Sequence, residues 1–351
     1  MNDKVILDRL TKIGELSSPE AEGAVRCTAC AHRCLIRPGK RGICGVRFND
    51  EGQLRVPWGY VAGAQLDPIE KKPFNHFLPG SQVLTFGMLG CNFHCSFCQN
   101  WMCSQALRDP QADDALSQIT RTSPTELVEL GLRNGAAALA SSYNEPLISA
   151  EWAAGIFKEA KQANLKTAFV SNGYATPEVL HYLQPWLDGY KIDLKSMQEK
   201  RYREMGGVLQ HVLDSIRLAR ELGLWVEVVT LVIPGFNDSL EELWDLSRFL
   251  ASISVDIPWH VTAYHPDYQM DDAPATPAAT LQKAAEIGEE AGLHYVYAGN
   301  LPGRVGSLED THCPGCGNLL LHRHGYQVLE NNLTEDGTCP KCGLVIPGVW
   351  K

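Results

Sequence analysis

From position 81 onward the chain alternates between two hydrophobic rhythms. Short apolar runs of strand length are each followed by a longer stretch of helical period. Strand candidates cover residues 81–88, 136–144, 166–173, 190–196, 225–235, 258–265 and 294–300. Between them lie helix candidates at 123–135, 149–164, 176–189, 208–223, 239–253 and 277–292. The first helix carries clear punctuation: Ser123 as N-cap, Pro124 at the first helical position, Glu126 three residues after the cap and Gly135 at the end. Pro185 bends or ends the third.

Seven strands separated by six helices predict an α/β fold with a parallel sheet and right-handed crossovers. A full eight-unit barrel needs one more pair, so the expectation is a partial (β/α)6-type TIM barrel over residues 81–305. Residues 1–80 read as an irregular, cysteine-containing N-terminal segment. From residue 306 the composition shifts to CPGCG and CPKCG, marking a small C-terminal unit over 306–351.

Composition narrows the function. The chain has 351 residues, 44% of them hydrophobic and 21% charged, as in an ordinary globular protein. A net charge of −10 argues against a surface that tracks nucleic-acid phosphates. No apolar run is long enough for a membrane span, and the start, MNDKVILDRL, lacks the apolar core of a signal peptide. A reducing cytoplasm is therefore expected, where twelve cysteines act as metal ligands rather than disulfides.

Those cysteines fall into three groups. Cys91, Cys95 and Cys98 stand in FGMLGCNFHCSFCQNW, spaced C-x3-C-x2-C directly after the first strand. Thiolates suit iron–sulfur clusters or zinc. Three of them leave one coordination position open, and an open position is where chemistry occurs. His94 as a fourth ligand would instead make a zinc site, and Cys103 reads as a small buried hydrophobe. Cys313, Cys316, Cys339 and Cys342 form two CxxC pairs separated by 22 residues, the spacing of a zinc ribbon. Cys27, Cys30, Cys34 and Cys44 have a spacing that zinc and a second [4Fe–4S] cluster fit equally.

Polar residues gather at the carboxyl ends of the strands, the functional face of parallel α/β folds. They are Asn144 and Glu145, Ser171 and Asn172, Asp193 and Lys195, Asn237 and Asp238, His265 and Asp267, and Asn300. Asp238-Ser239 reads as a helix cap, and His260, inside a strand, as structural or functional alike.

CNFHCSFCQNW, together with DPIEKKPFNHF, SYNEP, VSNG, KIDLKS, LVIPGFND, PWHVTAYHPDYQM, VYAGN and both outer cysteine groups, resembles the AmmeMemoRadiSam system radical SAM enzymes. These are relatives of pyruvate formate-lyase activating enzyme. The resemblance covers nearly the whole chain. It implies that Cys91, Cys95 and Cys98 ligate a [4Fe–4S] cluster whose fourth iron binds S-adenosylmethionine. One electron then releases a 5′-deoxyadenosyl radical that takes hydrogen from substrate. Phe97 would contact the adenine; Asn144 and Glu145 would receive the amino group; Ser171, Asn172, Asp193 and Lys195 would contact ribose and carboxylate. Many members carry Gly-Gly-Glu where this chain has Tyr143-Asn144-Glu145. An electron donor such as flavodoxin or ferredoxin is implied, as is a protein or small-molecule substrate. A glycyl-radical activase is one alternative, and a non-catalytic iron–sulfur electron carrier is another.

Overall fold

A computed structural model describes residues 3–351. The chain divides into two compact units. One comprises residues up to 67 with 82–190 and 203–224, and the other 68–81, 191–202 and 225–351.

The first unit is built on parallel strands β1 (Gln82–Gly87), β2 (Ala138–Ser141) and β3 (Lys166–Ser171). β2 lies between the other two, with Ala138 opposite Val83 on one side and Lys166 on the other. All four residues of β2 are buried, as expected of a strand covered on both faces. The crossover helices are α1 (Pro124–Arg133), α2 (Ala150–Gln162), α3 (Pro177–Leu183) and α4 (Leu209–Glu221). Ser123 and Glu126 form the expected reciprocal capping box. α3 stops two residues before Pro185. Phe157 of α2 packs its ring between Phe86 of β1 and Phe169 of β3, seating the helix on the sheet.

The first 67 residues are more ordered than the expected irregular segment. They form small antiparallel sheets: Thr11–Ile13 with Gln53–Pro57 and Phe48–Asp50, and Ser17–Pro19 with Val25–Cys27 and Leu35–Ile36. A buried ion pair fastens them to the barrel helices. Arg47 donates to both carboxylate oxygens of Glu151 at 2.7 Å and to the Ile148 carbonyl at 3.0 Å, and Glu151 also accepts from the Leu16 amide. Both side chains are almost wholly buried. Removing one partner strands the other charge in the core, so Glu151→Gln is expected to cost about 3–5 kcal/mol. Urea titration of the variant checks this, and a loss below about 1 kcal/mol would refute it.

The second unit carries the end of β4 (Gly189–Asp193), then β5 (Trp225–Val232), β6 (Trp259–Ala263) and β7 (Val296–Gly299). β5, β6 and β7 are parallel, with Val228 opposite Trp259 and Trp259 opposite Val296. Helices α5 (Leu240–Ile253) and α6 (Ala278–Glu290) complete it. All seven expected strands and all six helices therefore exist. Ser239 caps α5 through the Glu242 amide, as its position implied.

A three-stranded antiparallel sheet follows, Thr311–His312, Leu319–His324 and Gln327–Asn331. Its Leu320, Cys313, Cys339 and Ile346 share one apolar cluster with Tyr295 and Tyr297 of the β7 region. Beside it Glu227, fully buried, accepts from the Asn75 and His76 amides, Trp225 Nε1 and His260 Nε2. His76 in turn bonds Tyr297 Oη at 2.6 Å and the Pro347 carbonyl at 2.7 Å. His260 is thus a structural histidine.

This network gives a signed pH response. Burial pushes the His76 imidazole down to about 4, against the opposing pull of Glu227. An unfolded imidazole titrates near pH 6.5, so between about pH 6.5 and 4 the unfolded state holds the extra proton. Stability should therefore fall as pH falls through that window, by about 3 kcal/mol, and His76→Gln should flatten the slope. Urea midpoints measured from pH 7 to 4.5 test this; parallel curves for wild type and variant would sink it.

Candidate active site

The loop after β1 carries Cys91, Cys95 and Cys98. Cys95 is buried, while Cys91 and Cys98 are half-buried. The electrostatic fields of Cys95 and Cys98 both act on Cys91, so the three thiols form one group. Burial first, then the Glu145 carboxylate, pushes the Cys91 thiol well up. Metal binding there must displace protons and strengthens with pH.

Two polar groups meet the sulfurs. The Phe93 amide donates to Cys91 Sγ at 3.4 Å, and Ser104 Oγ lies 3.2 Å from Cys98 Sγ. Such bonds orient thiolate ligands and tune a metal's potential. Arg108 donates to the Cys91 carbonyl at 2.7 Å and the Phe93 carbonyl at 2.9 Å, holding the loop's backbone. Asn92 is fully buried between the first two cysteines, and its Oδ1 accepts from Asn172 Nδ2 at 2.8 Å. Ser104, Arg108 and Asn92 escaped the sequence reading. Each acts through a fold-dependent contact, though all three flank or interrupt the cysteine motif.

His94 is exposed, and its ring lies against Gly206, where a Cβ would come within 2.6 Å of Cε1. Cys103 is half-buried, a correction to the buried hydrophobe expected there. Phe97 is buried.

Four of the expected cofactor-binding residues converge at the ends of β2 and β3. Glu145 accepts from Ser171 Oγ at 2.7 Å, the Asn172 amide at 2.7 Å and the Leu147 amide at 3.0 Å. Asn144 Oδ1 accepts from the Met88 amide, just ahead of the cysteine loop. All four side chains are buried. The glycines of the superfamily motif are absent, and Tyr143, in the place of the first, holds a left-handed φ of 70°. A non-glycine residue there stores strain, which clusters at functional sites. The Tyr143 hydroxyl donates to Asp67 Oδ2 at 3.3 Å.

In the second unit, Asp193 at the end of β4 pairs with Lys191 and with Lys195, the latter at 3.1 Å. Burial alone would raise its carboxyl, but the two ammonium groups bring it down to about 2. Other strand-end residues stand apart from this group. Asn237 pins its own loop through the Ile233 amide and the Lys195 and Leu231 carbonyls. Asn300 Nδ2 donates to the Ala263 carbonyl. His265 is exposed, with Nδ1 3.3 Å from the Pro266 carbonyl.

The C-terminal quartet has the geometry of a metal site. The sulfur atoms of Cys313, Cys316, Cys339 and Cys342 all lie within 4.8 Å of one another. Cys313 and Cys342 are 3.5 Å apart, Cys316 and Cys339 3.7 Å. A tetrahedral ion with metal–sulfur bonds of about 2.3 Å sets its sulfurs about 3.8 Å apart. The quartet thus fits one ion.

Among the described residues, no helix is long and apolar enough to cross a membrane. Residues 86–250 match the family model described as Radical SAM superfamily. The chain is 36% identical over 325 residues to an uncharacterized protein of Methanocaldococcus jannaschii, covering 92% of this chain and 95% of that one. It is 29% identical over 125 residues to the isethionate sulfite-lyase activating enzyme of Oleidesulfovibrio alaskensis, covering 34% of this chain and 40% of that enzyme. A crystallised domain of pyruvate-formate lyase-activating enzyme from Bacteroides vulgatus aligns with 46% of this chain and 99% of its own, at 22% identity and a TM-score of 0.42. The chain spans nearly all of the first relative and under half of the second. With a superfamily model over its parallel α/β core and a relative matched along almost its whole length, this chain belongs to the radical SAM superfamily.

Proposed function

We propose that Cys91, Cys95 and Cys98 hold the [4Fe–4S] cluster of this radical SAM enzyme, and that Glu145, Ser171 and Asn172 belong to the S-adenosylmethionine site beside it. The observation that carries the reading is the convergence at the strand ends: the three-cysteine loop follows β1, Asn92 within it bonds Asn172, and Ser171 and the Asn172 amide hold the Glu145 carboxylate beside it. The donor set fits a cluster, since the sulfurs are thiolate-forming, largely buried and met by an amide and a hydroxyl. When bound, the cluster supplies one electron to S-adenosylmethionine and so generates the 5′-deoxyadenosyl radical that removes hydrogen from substrate.

The chain's own residues have separable tasks. Glu145 offers a negative charge to the ammonium of the cofactor's methionine portion. Phe97, buried on the same loop, offers an apolar face to the adenine. Zinc in the C-terminal quartet, a cytoplasmic setting and a flavodoxin or ferredoxin as electron donor complete the reading. Residues 81–305 would carry the chemistry, with 1–80 and 306–351 as metal-binding appendages. The substrate is a protein or small molecule; relatives named as activating enzymes favour a partner protein, as in glycyl-radical activation.

Anaerobic reconstitution, reduction and mass-spectrometric assay of 5′-deoxyadenosine test the reaction. Product in a cofactor-dependent assay supports it; none from iron-loaded protein, with or without candidate partners, favours an electron carrier. Glu145→Gln is close in shape but removes the charge and sets an NH2 against one of the donors the carboxylate now accepts from. It should weaken S-adenosylmethionine binding about ten- to a hundredfold with iron content unchanged. Equilibrium dialysis reads this directly, and wild-type affinity in the variant would remove Glu145 from the site.

A further inference from the structure

The turn after β3 reads Ser171-Asn172-Gly173-Tyr174 and makes bonds in two directions. Asn172 Oδ1 accepts from the Tyr174 amide at 3.0 Å, closing a local Asx turn, and Gly173 takes the left-handed φ of 70° that the reversal needs. That bond fixes which way the Asn172 amide faces. With its oxygen committed to Tyr174, its Nδ2 meets Asn92 Oδ1 at 2.8 Å. An amide nitrogen only donates, so Asn92 in turn presents its oxygen. Both side-chain orientations follow from one backbone donor.

Each asparagine also reaches one half of the active site. Asn92 Oδ1 accepts from the Cys91 thiol at 3.7 Å as well as from Asn172. The Asn172 amide donates to Glu145 Oε2 at 2.7 Å, and Ser171, one residue earlier, donates to Oε1. The path from the Cys91 sulfur to the Glu145 carboxylate therefore runs through these two residues. Phe93 packs on Tyr174 with ring centroids 5.1 Å apart, a second hold between the same loop and the same turn. Asn92, Phe93, Asn172, Tyr174 and Glu145 are all buried, so water does not compete for the bridge.

The sheet cannot do this work by itself. β2 lies between β1 and β3, so no ladder bond sets the loop after β1 directly against the turn after β3. We propose that the Asn92–Asn172 bridge is the spacer that supplies this register, with Asn92 a positioning residue that acts on S-adenosylmethionine through Asn172 and Glu145. The proposal rests on the reading of Cys91, Cys95, Cys98 and Glu145 given above. A cofactor held at once from the cysteine loop and by Glu145 must span a set distance, so loosening one against the other costs affinity.

A double-mutant cycle in S-adenosylmethionine binding tests it. Asn92→Ala, Asn172→Ala and the double variant are reconstituted anaerobically beside wild type, iron and sulfide are assayed, and affinity is read by equilibrium dialysis. Asn92→Ala should keep the wild-type iron content and weaken binding about fivefold. Asn172→Ala should cost about fivefold less in the Asn92→Ala background than in wild type, because the bond it removes is already gone. Independent losses, with the double variant at the product of the singles, overturn the proposal. So does loss of iron from Asn92→Ala, which would make the residue part of the loop's own folding. The same cycle in urea on the metal-free chain reads the bond itself; coupling there with none in binding would reduce the bridge to a packing contact and overturn its role as spacer. Wild type that holds iron and binds no S-adenosylmethionine would instead bring down the active-site reading itself, a result seen before any variant is made.

Discussion

Cys95→Ala should abolish 5′-deoxyadenosine formation, with the variant giving no more product than the no-enzyme control. Three thiols bind the cluster in this reading, and the fourth iron is left for the cofactor. Removing one does not weaken the site in proportion, because a two-thiolate loop no longer fixes the cube or its open corner. Outer-sphere partners of metal ligands typically cost about ten- to a hundredfold when lost, and a ligand must cost more. Of the three cysteines Cys95 is the most buried, so solvent cannot stand in for it. The same assay separates the neighbours, since the hydroxyl of Ser104 touches Cys98 without ligating and should affect rate or potential only. Wild-type product from Cys95→Ala would remove this loop from the chemistry.

The second large effect lies at the other end of the chain. Cys339→Ser is expected to release the bound ion and unfold the C-terminal sheet. Zinc held by four thiolates, as proposed for this quartet, contributes on the order of 10 kcal/mol in small metal domains. Backbone amides of Cys342 and Lys341 overcome burial and hold the Cys339 thiol below its usual range, so it is poised to ligate near neutral pH. The damage should spread, since Cys313, Cys339, Leu320 and Ile346 pack with Tyr295 and Tyr297. Thermal unfolding with and without a chelator, alongside zinc analysis, checks this. A variant with wild-type melting temperature and no zinc would mean that the quartet is dispensable for folding.

The repeating strand–helix order of residues 81–305 was legible because each element is long enough to show its period, and caps such as Ser123 with Glu126 mark the helix starts. The first 67 residues were not. Their strands are two to six residues long, too short for alternation to emerge, and they are held by long-range bonds such as Arg47 to Glu151. The cysteine groups were visible as spacing. The residues that support them were not: Asn92, Ser104 and Arg108 are ordinary polar letters until folding brings them against the loop. Among the strand-end residues, Glu145, Ser171 and Asn172 proved to be one bonded group, whereas Asn237 bonds its own loop and the Lys195 carbonyl, and Asn300 bonds the Ala263 carbonyl. Sequence places all five at the same rim; the direction of each side chain divides them.

The backbone at Tyr143 has a consequence for finding enzymes of this kind. A tyrosine here occupies a conformation for which glycine is the easy choice. A search that demands two glycines before the glutamate would pass over this chain, and over any other that meets the same torsional requirement with a side chain.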